Sequence, residues 1–286
     1  MLQPTQAARA PAGERAGRHD GEALYAALDL GTNNCRLLVA SAHSSADKGA
    51  GAIKVFDSFS RIVRLGEGVS ATGMLSDEAM ERTMGALKAC QKKLEKYTLQ
   101  DVRFVATEAC RRAGNGAAFI EKVRAQTGMS IEIISTEEEA RLAFLGCSSL
   151  LKPESRRAVV FDIGGGSTEL MWVDVGQGKR IDDWLSINYG VMNLADKFGG
   201  QGFADVAFSD MTRLIAGYIA PFDAKNKIRE AIAGSHVQLL STSGTVTTLA
   251  AIHLGLPRYD RARIDGITLS VADIRATTIF GNKYVA

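Results

Sequence analysis

Between Asp162 and Glu169 the chain reads DIGGGSTE. The consecutive glycines Gly164, Gly165 and Gly166 bring no side chain to a core and cost chain entropy. They permit bare backbone to approach a ligand with several N–H groups aimed at it, and such a nest binds phosphate oxygens. Ser167 follows in the same turn, while Asp162 and Glu169 bracket it and can hold Mg²⁺ or the waters around it. An earlier stretch repeats the pattern: Asp29, Leu30, Gly31, Thr32, Asn33, Asn34, between two apolar runs. Asp29 matches Asp162, Gly31 matches Gly164 and Leu37 matches Leu170. Each copy is a strand, Asp-x-Gly, small turn residues and a second strand, the pattern of a β-hairpin with a glycine-bearing turn. One copy alone reads as a tight turn. Two copies this far apart imply two similar lobes, each opening with the same hairpin, and a phosphate site in the cleft between them.

Three further stretches carry chemistry. In STEEEARLAFLG, three glutamates open a helix, where acidic side chains complement the helix dipole. If Thr136 is the N-cap, Glu139 is consumed in a capping box. If Ser135 is the N-cap, Glu138 takes that role and Glu139 is free to accept a proton from an attacking water. In VATEACRRAGN, Arg111 and Arg112 follow a strand at its C-terminal end, where open α/β sheets place ligands. An arginine there can grip phosphate bidentately, and a solvated arginine pair is the plain alternative. In LLSTSGTVTTLAAIHLG, a strand runs into Ser243, Gly244 and Thr245 and a helix opens, a ready anion site or simply a turn and cap. The pattern of a Walker loop is missing there.

The elements that must position these residues alternate. Residues 53–60 and 62–65 suit strands, and 74–97 has helical period with Ser76 as N-cap. Residues 102–106 suit a strand, 117–126 a helix closed by Gly128, 131–134 a strand and 137–151 a helix. A polar break with Pro153 follows, so the lobes divide as 23–151 and 152–286, with 1–22 as a disordered tail. The alternation predicts an α/β fold.

Bulk properties exclude several functions. A net charge of +2 over 286 residues gives no sequence-wide drive toward nucleic acid or membrane, so any anion site must be local. The four cysteines have no Cys-x-x-Cys and the four histidines no ligand spacing, which argues for reduced cytosolic thiols and against zinc. No stretch approaches the length of a membrane span, and the first 22 residues lack the apolar segment of a secretory signal. The expectation is a cytoplasmic protein, compatible with a homodimer.

DLGTN, the EEEARL helix start, DIGGGSTEL and the TSGT turn, in that order, resemble the exopolyphosphatase/guanosine-pentaphosphate phosphatase family of the actin-like ATPase superfamily. Phe59 to Val69, FSRIVRLGEGV, and ATEACRRA also look like family segments, and the resemblance runs from Tyr25 to about Asp273. It implies two ribonuclease-H-like lobes with a cleft between them. It implies removal of terminal phosphate from polyphosphate, or alternatively from guanosine pentaphosphate, usually with Mg²⁺. It places the general base on Glu139, the phosphate-loop acids on Asp29, Asp162 and Glu169, and the phosphate-binding arginine on Arg111. This resolves the two readings of Glu139 in favour of catalysis. A sugar or acid kinase of the same superfamily would need an adenosine pocket and an acceptor pocket, and this chain shows a signature of neither. A non-catalytic polyphosphate- or nucleotide-sensing module is the remaining rival, kept open by the chain's end. Family members continue past a strand corresponding to Gly266–Ser270, whereas here a helix begins at Val271 and the chain ends at Ala286. The expectation is a truncated second lobe with exposed apolar surface.

Overall fold

The structure, a computed structural model, describes residues 22–43, 52–176, 178–198, 205–234 and 237–281. The expected tail lies outside the described residues except for Glu22, as does the end of the chain after Gly281. The first lobe opens with β1 (Leu24–Leu30), β2 (Asn34–His43) and β3 (Ala52–Ile62). It continues with α1 (Val69–Thr72), α2 (Asp77–Leu94), β4 (Asp101–Ala106), α3 (Glu108–Arg112), α4 (Gly116–Thr127) and β5 (Glu132–Ile133). Their sheet has the order β3-β2-β1-β4-β5. The β1–β2 and β2–β3 pairs are antiparallel and the β1–β4 and β4–β5 pairs parallel. Helix α5 (Thr136–Cys147) and a 3-10 turn over Ser148–Leu150 lead to the second lobe. There follow β6 (Arg157–Ile163), β7 (Thr168–Asp174), β8 (Arg180–Ile187), α6 (Val191–Phe198), α7 (Asp205–Asn226) and α8 (Ile228–Ala233). The chain then forms β9 (Val237–Ser241), α9 (Gly244–His253), α10 (Arg261–Ile264) and α11 (Val271–Gly281). The second sheet has the order β8-β7-β6-β9.

The repeat read in the sequence is a repeat of structure. β1–β2 and β6–β7 are antiparallel hairpins, each flanked by a third antiparallel strand on one side and a parallel strand on the other. The correspondence extends to irregularities. The register slips between Val39 and Ala40 in one sheet and between Trp172 and Val173 in the other, at equivalent distances from Asp29 and Asp162. A one-residue slip of this kind bends and twists its strand.

Packing follows from period and caps. β1 alternates, burying Leu24, Ala26, Leu28 and Leu30 and turning Asp29 the other way. Ser76 caps α2 by accepting from Ala79 N, as its position before Asp77 and Glu78 predicts. Gly128 closes α4 in the left-handed conformation. The second sheet is covered on both faces, which explains why β6 and β7 read as continuous apolar runs. Ala140, Phe144 and Cys147 of α5 pack with Val160, Met171 and Val173 on one face. Phe222 of α7 packs with Val159, Leu170 and Trp172 on the other. The division drawn at Pro153 therefore cuts the sequence behind a helix that already packs on the second sheet.

Two local expectations are corrected. Residues 266–270 form no strand; Gly266 has φ 79° and the backbone runs irregularly into α11. Residues 63–65, expected to be strand, form none: β3 ends at Ile62, and Val63 N and Arg64 N donate to Asn33 O instead. Helix α11 runs on through the β-branched Thr277 and Thr278, whose hydroxyls donate to the carbonyls of Asp273 and Ile274 one turn back. Ser270 and Asp273 cap its start reciprocally: Asp273 N donates to Ser270 Oγ and Ser270 N to the Asp273 carboxylate.

Candidate active site

The two glycine turns meet. A Cβ placed on Gly165 would stand 3.1 Å from Asn33 Cβ and 3.3 Å from Thr32 Cβ, and one on Gly166 would stand 2.8 Å from Thr32 Oγ1. The turn at Gly31, Thr32 and Asn33 thus abuts the turn at Gly164, Gly165 and Gly166 across the lobe junction. A small pocket there is lined from both lobes, by Thr32, Glu108 and Arg112 on one side and Gly166, Asn193 and Asp196 on the other.

Each turn is held from behind by its carbonyls. Asn33 O accepts from Val63 N and Arg64 N, and Thr32 O accepts from Gly66 N. This gives the segment Phe59 to Val69 its task. Gly164 O and Gly165 O accept from Val191 N and Met192 N at the start of α6. Asn193 Nδ2 donates to Gly166 O at 2.7 Å while Gly190 N donates to Asn193 Oδ1 at 2.6 Å. Gly164 N is spent inside its hairpin on Ser167 O. Among the described residues, no hydrogen bond engages the amides of Thr32, Asn33, Gly165 or Gly166. Polar backbone N–H groups fixed in position and left unpaired at a cleft are anion donors.

The acids are placed by strand register. Asp162 and Glu169 face each other across the β6–β7 pair, on the same sheet face as Met171 and Val173. That face is covered by α5, whose first turn carries Glu139. Ser135 caps α5, accepting from Glu138 N at 3.1 Å. The capping question is thereby answered: Glu139 is outside any capping box. Glu138 instead pairs with Arg141 at 2.6 Å and Arg103 at 2.8 Å, and these hold its carboxyl down at about 2. Glu139 Oε2 accepts from Arg111 Nη2 at 3.1 Å, and among the described residues its Oε1 has no hydrogen bond. Arg111 also donates to Glu108 Oε2 at 2.7 Å and to Ile134 O at 2.8 Å.

The electrostatics are those of crowded, buried carboxylates. Burial pushes Glu139 up to about 8; the charges of Glu169 and Asp29 add to the rise, and Arg111 opposes it. Burial likewise pushes Glu169 up to about 7, with Asp162 adding to it and the hydroxyls of Ser167 and Ser186 opposing. Asp29 and Asp162 are raised by burial and drawn back by Arg36, and Asp162 further raises Asp29. Among the described residues, no three acidic, histidine or cysteine side chains converge in metal-ligand geometry. Mg²⁺ needs no such cage, since it takes one or two carboxylates with waters and substrate phosphates. Asp162 and Glu169, both buried and the second destabilised as an anion by the first, fit that demand.

The remaining expected residues join the same site. Thr245 Oγ1 donates to Ile163 O at 3.0 Å, tying the TSGT turn to the end of β6. Ser243 caps α9, and a Cβ on Gly244 would stand 3.1 Å from Arg36 Nη2, a residue of the other lobe. Arg36, Glu108 and Asn193 are residues that the sequence reading missed. A signal for Arg36 exists in the repeat: it pairs with Asp29 as Glu169 pairs with Asp162. Glu108, 4% exposed, and Asn193 have no such signal, because their importance lies in burial and partners.

Residues 45–270 match the model of the Ppx/GppA phosphatase family. A bifunctional 3-dehydroquinate synthase/phosphatase of Fusobacterium nucleatum is 31% identical over 254 residues, 88% of this chain. The chain spans 37% of that relative's length. The crystal structure of the Aquifex aeolicus Ppx/GppA family member superimposes with a TM-score of 0.70 at 28% identity, covering 91% of this chain and 79% of that one. That of an exopolyphosphatase-like protein does so with a TM-score of 0.77 at 28% identity, covering 91% and 78%.

Proposed function

The chain belongs to the Ppx/GppA phosphatase family, and from that premise we propose that it hydrolyses the terminal phosphoanhydride of inorganic polyphosphate. The observation that carries this reading is the meeting of two glycine turns with unpaired amides at the lobe junction, together with a buried glutamate, Glu139, whose proton affinity is raised by acids of both hairpins. Phosphoryl transfer asks a protein mainly for positioning and charge neutralisation. The amides of Thr32, Asn33, Gly165 and Gly166 bind the oxygens of the terminal phosphate, and Arg111 takes a further oxygen as the phosphate competes with the carboxylates for its N–H groups. Ser243, Gly244 and Thr245 at the start of α9 face the next phosphate along the chain. Asp162 and Glu169 would hold Mg²⁺, which supplies charge neutralisation of the phosphate oxygens when bound. Glu139 receives a proton from a water at its Oε1 as that water's oxygen bonds to phosphorus. The bridging P–O bond breaks in line, and the shortened chain leaves with the electron pair. General-base help of this kind is worth roughly 10²–10⁴-fold.

Polyphosphate is preferred over guanosine pentaphosphate because the site is built of groups that read phosphate, with none among the described residues identified as reading guanine. Phosphate release measured side by side on both substrates with Mg²⁺ tests this. Faster release from polyphosphate is expected. Faster release from guanosine pentaphosphate overturns the substrate choice. Tight binding of either with no release makes the protein a sensing module. Among the described residues, no helix is long and apolar enough to cross a membrane. We also propose that the protein works in the cytoplasm and as a homodimer.

A further inference from the structure

Glu108 opens α3, the short helix that follows β4. A carboxylate is an unexpected neighbour for a phosphate nest, yet Glu108 lies against it: a Cβ on Gly166 would stand 3.0 Å from Glu108 Cγ. Its side chain is 5% exposed. One oxygen, Oε2, accepts from Arg111 Nη2 at 2.7 Å. The other, Oε1, stands 3.7 Å from Arg112 Nε, within ion-pair reach but beyond a hydrogen bond, and has no hydrogen-bond partner among the described residues. A buried carboxylate half unsatisfied is costly, and its persistence needs a reason.

Arg111 supplies the reason. Its guanidinium has three acceptors: the carbonyl of Ile134, Glu108 and Glu139. Glu139 is the more exposed of the two carboxylates, its side chain 22% exposed, and makes the longer bond, 3.1 Å. In the reaction proposed above, Glu139 has to turn to a water and then carry its proton, which weakens its hold on Arg111. Without a second anion the guanidinium would swing, or would follow Glu139 away from the phosphate. We propose that Glu108 is a positioning residue for phosphoryl transfer, holding Arg111 in place at the lobe junction while Glu139 works. The inference rests on the functional reading above for its consequence, but not for the contact itself.

The test has two arms, both on the full chain. In the first, ¹⁵N spectra of arginine-labelled protein report the Arg111 guanidinium, assigned by its loss in Arg111→Lys. A pinned guanidinium shows separate Nη resonances and a rotating one a single averaged resonance. Glu139→Ala removes the competing carboxylate. Separate resonances are expected in Glu139→Ala, and their collapse is expected when Glu108→Leu is added. Leucine fills the space without offering an acceptor, and Glu108→Ala takes its place if the leucine variant does not fold. Separate resonances in the folded double variant overturn the proposal. In the second arm, Glu108→Leu lowers kcat/KM for polyphosphate by about 10–100-fold, the scale of a misplaced binding group. In an Arg111→Ala background it adds less than about twofold, as expected of two residues acting as one unit. Glu108→Gln, which keeps an acceptor, recovers part of the loss. An undiminished Glu108→Leu, or an effect that simply adds to that of Arg111→Ala, overturns the proposal. Wild-type protein that releases no phosphate overturns the functional reading alone, because the spectra still decide what Glu108 holds.

Discussion

The role proposed for Glu139 needs it ionised, so that it can take a proton from water, and burial works against that. With its proton affinity raised to about 8, the free protein holds it mostly protonated at neutral pH. kcat/KM is therefore expected to rise with pH through about 8, and a pH–rate profile checks it. Arg111→Ala removes the charge that draws Glu139 down, so the rise should move to higher pH while KM increases. An unmoved profile would separate Arg111 from the base. Whether Glu139 was free or a cap could not be settled from the letters alone, since Ser135 and Thr136 can both cap. The choice of Ser135 is a matter of backbone geometry. Arg36 was legible in principle through its pairing with Asp29. Glu108 was not, because a glutamate two places past a strand reads as an ordinary first-turn acid until its burial is known.

The hairpin turns depend on what holds them. Gly190 is packed so closely that a Cβ would stand 2.5 Å from Gly164 O and 2.5 Å from Gly165 C, both backbone atoms. Gly190→Ala must push the second turn aside, and such overpacking costs about 1–3 kcal/mol. It should lower thermal stability and polyphosphate affinity together, as melting and binding titrations would show. Gly85, on the exposed face of α2, has open space where a Cβ would go, with nothing within 4 Å. Gly85→Ala should raise stability by about 0.5–1 kcal/mol through helix propensity, with activity unaltered. Denaturant melts separate these two glycines, one holding a turn and one merely tolerated. The hairpins, α2 and α4 were legible because period, cap and glycine agreed there. β3 runs unbroken to Ile62, across the break expected after residue 60, while residues 63–65, expected to be strand, form none. Pairing with Asn34 of β2 carries β3 to Ile62, which local preference does not reveal.

The whole molecule stores like charges at the junction of its lobes. Asp29, Glu139, Asp162 and Glu169 all bind protons more tightly than ordinary carboxyls. Between their ordinary values near 4 and about 8, the folded state therefore holds more protons than the unfolded chain. Stability must fall as pH rises through that window. Tm without Mg²⁺ should be lower at pH 8 than at pH 5.5, and added Mg²⁺ should raise it more at pH 8, where the carboxylates are ionised. A Tm that climbs with pH in the absence of Mg²⁺ would contradict the charge arrangement. The two-lobe plan was legible from the repeated hairpin. The packing of α5 on the second sheet was not, because a proline marks a break in the chain and not the partner of the helix before it.

The central claim is that Glu139 activates the water that attacks a terminal phosphate held by both glycine turns. It is tested most directly by phosphate release from polyphosphate with Mg²⁺ at pH 8, comparing wild type with Glu139→Gln. Glutamine keeps the size and an acceptor for Arg111 but is not a base. The account predicts release by the wild type, and a rate at least about 10²-fold lower in a folded Glu139→Gln that still binds polyphosphate. A folded Glu139→Gln retaining more than about a tenth of the wild-type rate would contradict it.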